Sequence, residues 1–266
     1  MWNMKKYRIV VGVWMLLLSS ASCMDDTGRY GQDNRNYRIT ASIEDANVAS
    51  RVADKNNRTS FTKNDEIFIG WSGSASYKYL CSGTDNVFVP NASDANRELW
   101  TGLLNASSTK EVYAWYGTMS STLPAVGTNI SIPPDQTSDS KMLSAICMAA
   151  HQSASSTTNT LDFTFHHLTA RLFISVDVVD DIVMQEDVMG ATARLNRIYT
   201  AGNVATDTSS KEYLLNVPTD KAGTGSIRMN RSWSDQEAFH LDFECLLPPQ
   251  ILGEEQNVTI ILANGK

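Results

Sequence analysis

The sequence is short of cations, cysteines and long apolar runs, and each shortage closes off a class of function. Lys and Arg number 22 against 29 Asp and Glu, a net charge of −7. Nucleic-acid binding needs a basic footprint, and docking on acidic headgroups needs clustered Lys or Arg. The balance therefore argues against both, and nucleic acid is not an expected partner. Four cysteines in 266 residues, none in a C-x-x-C pair, argue against a zinc site. Setting Cys23 aside, Cys81, Cys147 and Cys245 are an odd number, so a complete disulfide framework is impossible. One disulfide or three buried free thiols are both compatible with the spacing. There is no G-x-S-x-G, no H-E-x-x-H and no phosphate-cradling glycine loop. Ser72, in Gly70-Trp71-Ser72-Gly73-Ser74, follows a strand-like run but precedes no helix, so it is not a nucleophile elbow. No enzyme, metal site or cofactor is expected.

The apolar run at the start, Ile9 to Leu18, is about half of the ~20 residues that span a hydrocarbon core. Lys5, Lys6 and Arg8 precede it, and Ser19-Ser20-Ala21-Ser22-Cys23 follows. Basic flank, short apolar core and small residues make residues 1–22 a signal peptide. Ala21-Ser22 directly before a cysteine resembles the bacterial lipobox, with cleavage between Ser22 and Cys23. The covalent lipid would be a diacylglycerol thioether on Cys23 plus an acyl chain, such as palmitate, on its amine. More than one chain anchors stably where a single chain is marginal. A plain secretory signal with an incidental cysteine is the alternative. Asp25 and Asp26 resemble the surface-export signal of Bacteroidetes-type lipoproteins, so the expected location is the outer membrane, facing outward. Cleavage removes three cations and no acid, taking the net charge from −7 to −10.

Residues 23–36 are polar, with Gly28 and Gly31, and read as a tether. Tyr37, Ile39, Ala41 and Ile43 then alternate with polar residues, the period of a half-buried strand. Residues 44–64 read as a polar loop carrying Arg51, Lys55, Arg58 and Lys63. Short strands bounded by turn residues follow at Ile67–Trp71, Tyr77–Cys81, Val87–Pro90, Glu98–Trp100, Glu111–Tyr116 and Asn129–Ile132. Asp139–Ala145 reads as a helical turn capped by Ser138 or Asp139, and Ile146–Ala150 as strand. Residues 151–160 are rich in Ser and Thr, and a domain boundary is placed near 158. Further strands are expected at Leu161–Phe165, Arg171–Val178, Leu195–Tyr199, Tyr213–Val217, Phe239–Leu247 and Asn257–Leu262. Many short strands with turn signals predict an all-β chain of antiparallel sandwiches, in domains 37–158 and 159–266. Asn264-Gly265 favours a hairpin turn, yet only Lys266 follows, so the second domain is expected to lack C-terminal strands.

Few side chains offer chemistry. His166 and His167 are adjacent and point to opposite faces of a strand. His240 and Asp242 share a face, with Glu244 next, and a metal site there is weighed against plain solvated strand residues. Trp71, Trp100, Tyr113, Trp115 and Tyr116 are either core or an exposed row for stacking on carbohydrate.

Several segments together resemble the fimbrillin family of Bacteroidales-type fimbriae, including its Mfa-like members. They are Tyr37–Ile43 with Ser50-Arg51-Val52, Asn64–Ile69, Val112–Tyr116, Ile130–Gln136 with Asp139–Ala145, and Leu161–Val176. Leu246–Gln250 with Val258–Gly265 completes the set. The resemblance implies two transthyretin-like β-sandwich domains in a fimbrial subunit, tip or anchor that serves cell adhesion. Family subunits are carried to the outer membrane as lipoproteins, and a trypsin-like protease then cuts the basic loop and removes the first strand. The next subunit fills the groove by β-strand addition, where main-chain hydrogen bonds give affinity. Carried onto this sequence, Tyr37–Ile43 is the strand removed, Arg51 the first processing position and Arg58 the second. In anchor-type members the strand and lipid are retained, and Arg51 is then a solvated loop residue. The implied partners are other fimbrial subunits, the outer membrane and a host or bacterial surface ligand. A surface glycan-binding lipoprotein is the alternative function.

Overall fold

Strands that look alike in the sequence form for two different reasons. Where one face meets water, apolar residues alternate; where both faces are covered, they run on continuously. In the computed structural model, residues 37–44, 60–71, 76–91, 93–117, 119–179, 183–218, 223–232 and 239–265 are described. Ser22, Cys23, Arg51, Arg58, Ser72 and the expected tether lie outside the described residues. The described residues fall within one unit, residues 34–266.

In chain order the elements are β1 (Arg38–Ile43), β2 (Glu66–Trp71), β3 (Tyr77–Cys81), β4 (Val87–Pro90), α1 (Ser93–Leu104), β5 (Lys110–Gly117), β6 (Asn129–Ser131), α2 (Asp139–Leu143), β7 (Cys147–Ala154) and β8 (Thr160–His167). Then come β9 (Ala170–Asp177), α3 (Gln185–Met189), β10 (Thr192–Ile198), β11 (Ala201–Thr206), β12 (Tyr213–Asn216), β13 (Gly225–Arg228), β14 (Asn230–Ser232), β15 (His240–Leu247) and β16 (Asn257–Ile261). Strands dominate, so the all-β expectation holds.

Seven strands close into a barrel in the order β1-β4-β3-β2-β5-β7-β8. Its interior is packed with Ile67, Ile69, Val112, Ala114, Leu161, Phe163 and Phe165. A three-stranded sheet, β12-β11-β6, covers part of the outside. Phe68, Tyr113, Trp115, Cys147 and Ala149 of the barrel pack there with Ile130, Val204, Tyr213 and Leu215. This second core explains the unbroken runs in β2, β5 and β7: both of their faces are dry. Two more sheets, β13-β10-β16 and β14-β15-β9, carry the C-terminal half.

Four expectations change. Glu98-Leu99-Trp100 is not a strand but part of α1, whose Leu99, Trp100 and Leu103 are buried at helical spacing. The strands expected to form a first sandwich close into a barrel, and one pair in it, β1 with β8, is parallel. The boundary placed near 158 falls in the β7–β8 connection of that barrel. The handover to another sheet comes at Leu168-Thr169, between β8 and β9. Finally, the described end of the stretch expected to be a polar loop holds a buried anchor, Phe61, which meets Phe88, Tyr116 and Phe165 edge-on at 5.2, 5.6 and 5.3 Å.

The short helix α2 forms as expected. Ser138 is its N-cap and accepts from the Lys141 N–H at 3.4 Å. Cys81, Cys147 and Cys245 are all free and buried. The chain turns at its end through a Leu262–Gly265 hydrogen bond of 3.0 Å, with Gly265 at φ +82°. Its central pair is Ala263-Asn264, not Asn264-Gly265, and the glycine takes the left-handed place after the turn.

Candidate functional site

Strand β1 closes the barrel, and everything about its seat is non-local. On one side it pairs in parallel with β8, six residues in register from Arg38–Thr160 to Ile43–Phe165. On the other it pairs antiparallel with β4 through Ile39–Phe88 and Thr40–Val87. Parallel neighbours need a long crossover, and here more than a hundred residues separate the partners.

The strand's alternation sets its orientation. Ile39, Ala41 and Ile43 face inward and are 2, 1 and 7% exposed. They meet Phe88, Leu161, Phe163 and Phe165 across the two neighbours. Arg38, Thr40 and Ser42 alternate with them on the outer face. Tyr37, just before the strand, stacks on Trp100 of α1 at 4.6 Å and 24°. Each buried isoleucine contributes about 1.5–3 kcal/mol, and a stacked ring pair about 0.5–1.5 kcal/mol beyond its buried area.

Main-chain bonds complete the seat. Arg38 donates to the Asn159 carbonyl at 3.0 Å, Ala41 to Asn86 at 3.1 Å, and Glu44 to Phe165 at 2.8 Å. On the outer face Thr40 Oγ1 donates to Asp162 Oδ1 at 2.6 Å. The Asp162 N–H in turn donates to Gln152 Oε1 at 2.7 Å. The seat is thus an apolar trough with a ladder of backbone partners along both rims. β1 fills it with apolar side chains at alternate positions, Ile39 and Ile43, and with the small Ala41 at the middle one. Sequence reasoning located the strand from its period but missed Phe61, the ring that fills the interior beside Phe88 and Phe165. A lone phenylalanine at the end of a polar run was its only signal.

The other singled-out residues are structural where they are described. Trp100 and Trp115 are buried, and Trp71 lies under the Lys110 ammonium at 5.0 Å, so Trp71, Trp100 and Trp115 form no exposed row. Tyr113 stacks on Tyr213 at 4.5 Å and 8°, joining the barrel to its cover sheet. His166 Nε2 lies 2.9 Å from the Tyr213 carbonyl and His151 Nε2 2.5 Å from Glu111 Oε2. His240 sits between Asp177 (2.6 Å) and Asp242 (3.0 Å). Glu244 does not join them: it is fully buried and bonded to Arg171 and Asn230. Among the described residues no His, Cys, Asp and Glu side chains are grouped to hold a metal ion. Burial pushes the Cys147 and Cys245 thiols up to about 12.

The fold has relatives among solved structures. A candidate cell adhesion protein from Bacteroides ovatus superposes with a TM-score of 0.58 at 13% identity, over 86% of this chain and 84% of that one. One from Bacteroides uniformis gives 0.54 at 17% identity, over 88% and 84%. At these identities the likeness is one of fold. No curated protein matches the chain by sequence. A family model described as fimbrillin-like matches residues 50–266, starting just after the segment that holds β1. With most of its length covered by that match, the chain belongs to the fimbrillin-like family.

Proposed function

We propose that this chain is a fimbrial subunit, tip or anchor, brought to the outer membrane as a lipoprotein on Cys23, and that it assembles by β-strand addition at the seat of β1. The observation that carries the reading is the seat itself. A single six-residue strand with Ile39, Ala41 and Ile43 inward fills a trough whose partners, β4 and β8, are remote in the chain. The stretch of sequence that links β1 to the rest contains Arg51 and Arg58. Cutting there would leave β1 held by noncovalent contacts alone, and its loss would bare two strand edges, which are adhesive by nature. We read the barrel and its cover sheet as the first of two β-domains, and the sheets containing β9 and β16 as the second, in place of the tandem sandwiches. A fimbrium would serve cell adhesion at the bacterial surface, with related fimbrillins as neighbours in the filament.

Trypsin treatment of the purified precursor tests this reading. A cut at Arg51 or Arg58 followed by SDS-resistant ladders is the expected result for a polymerising subunit. Cleavage with no change in assembly would overturn assembly at this seat. Incorporation of labelled palmitate that disappears in Cys23→Ala tests the lipid. Carbohydrate stacking on strand aromatics loses its support, because Trp100 and Trp115 are inside.

A further inference from the structure

Alternation of apolar residues decides which face of a strand turns inward, but not which strand is taken. A slip of one residue would turn Ile39, Ala41 and Ile43 outward, whereas a slip of two keeps an apolar face inward. Three further contacts of β1 discriminate, and none uses the two isoleucines. Ala41 is paired with Phe163 of β8 and is 1% exposed, so the interior has room there for a methyl group and little more. A slip of two would bring Ile39 or Ile43 over that ring. On the outer face Thr40 lies between Asp162 of β8 and Val87 of β4. Its hydroxyl donates to Asp162 Oδ1 at 2.6 Å, within the range of a charge-assisted bond. Just before the strand, Tyr37 stacks on Trp100 of α1 at 4.6 Å, and Trp100 is 1% exposed with that ring in place.

The outer position is the most selective. An ionised Asp162 accepts hydrogen bonds and donates none, and like charges directly opposite in a ladder are destabilising. A threonine suits both neighbours, with a hydroxyl for the carboxylate and a methyl group for the valine. An apolar residue would leave the carboxylate without that donor, and an acid would face it with its own charge. The Asp162 main chain is also tethered to β7, since its N–H donates to Gln152 Oε1 at 2.7 Å. From this geometry we infer that the seat selects its incoming strand by three side chains besides the two anchors. They are an aromatic ring at the place of Tyr37, a hydroxyl donor at that of Thr40 and a small residue at that of Ala41, and Asp162 rejects a strand with an acid beside it. The inference rests on the reading of this seat as the place of strand addition, and it names the chemistry of the partner strand. Within the sequence, only Tyr37–Ile43 has this set at this spacing. Phe239-His240-Leu241 begins alike, but Asp242 and Phe243 then stand where Thr40 and Ala41 do. β15 of a second copy is thus refused twice, by Asp162 and by Phe163.

Peptide competition read by hydrogen exchange tests it. The full chain carrying Ile39→Ala and Ile43→Ala has a loosened β1, and a peptide of residues 37–44 then competes for the seat, with protection of the β8 amides as the readout. Protection of β5 and β7 reports that the barrel is folded, and the same titration on the trypsin-cut precursor needs no core variant. Peptides with Thr40→Val, Thr40→Asp or Ala41→Leu should need about tenfold more for half-protection, from a lost bond to a charged group or from overpacking. Tyr37→Ala should need about threefold more, from the lost ring pair. Against the chain with Asp162→Asn added, the Thr40→Asp peptide should recover about tenfold, because the amide can donate to its carboxylate. Equal midpoints for all the peptides, or a Thr40→Asp penalty that Asp162→Asn leaves unchanged, overturn the inference and leave strand addition at this seat standing. No protection by the unaltered peptide in either preparation means that the seat takes no added strand, and both readings fall.

Discussion

If β1 is a separable strand, weakening its side chains must loosen β1 alone and leave the rest of the barrel intact. The test is the double variant Ile39→Ala, Ile43→Ala. Both side chains are almost fully buried, and a buried Ile→Ala change costs about 2–5 kcal/mol. The two positions are about 13 Å apart along the strand at ~3.3 Å per residue, far enough for their effects to add. The combined loss is about 4–10 kcal/mol. At one factor of ten per ~1.4 kcal/mol, local opening of β1 should rise about a thousandfold or more. Hydrogen exchange read by mass spectrometry gives the answer segment by segment. The amides of Arg38–Glu44 should lose protection, as should the β8 carbonyl-side partners' own amides where they face β1. Those of β5 and β7, bonded to each other over eight residue pairs, should keep theirs. Adding a peptide of residues 37–44 should restore protection along β8. If β5 and β7 lose protection together with β1, the strand is an integral stave of the barrel, and exchange at this seat is ruled out.

Three further outcomes follow from other parts of the fold. Glu244→Ala leaves the Arg171 guanidinium without its buried partner and removes an acceptor from Asn230; breaking such a pair costs about 3–5 kcal/mol, read as a fall in the calorimetric melting temperature, with Glu244→Gln milder. His240 has its pKa raised, first by the Asp177 hydrogen bond and then by the nearby Asp242 charge, against desolvation. A raised folded pKa makes a contribution that is complete below the unfolded value of about 6.5 and fades as pH rises through the folded value. Denaturation midpoints measured from pH 6 upward should fall over that window in the wild type and fall less in Asp177→Asn. The Cys147 and Cys245 thiols, pushed up to about 12 by burial, should resist iodoacetamide at pH 8 in the folded chain and react once it is unfolded in guanidinium.

What the sequence made legible depended on how local the cause was. β1 and β8 were readable because each has one dry face, and Ile39-Ala41-Ile43 and Leu161-Phe163-Phe165 report it directly. β2, β5 and β7 were readable as strands, but nothing local says that a cover sheet dries their outer face. Glu98-Leu99-Trp100 misled because three residues cannot separate a strand from the stripe of a helix; Leu103, one turn on, carries the missing period. β11, β13 and β14 were not expected, since Gly-Ser-Ile-Arg and Asn-Arg-Ser have no period, and their pairing comes from β12, β10 and β15. The parallel β1–β8 pair has no local signature at all. The strand was therefore legible while the trough that receives it was not.

That asymmetry bears on Cys23 and the two fates of β1. The proposed lipid site and the strand lie on the same side of Arg51 in the chain. One cut there would separate both from the rest, and the only link left would be the noncovalent seat. The seat is strong: two buried isoleucines, a stacked Tyr37–Trp100 pair and a ladder on each rim. A cut chain would thus keep β1 and its lipid in place until a competing strand displaced them. Such a strand must offer comparable apolar groups in the Ile39 and Ile43 pockets and a small residue over Phe163. Release from the membrane and addition of the next subunit would then be one event, governed by the incoming strand rather than by the protease. A cut precursor should stay membrane-bound on its own and be released by a peptide of β1's pattern; spontaneous release after cutting would separate the two steps.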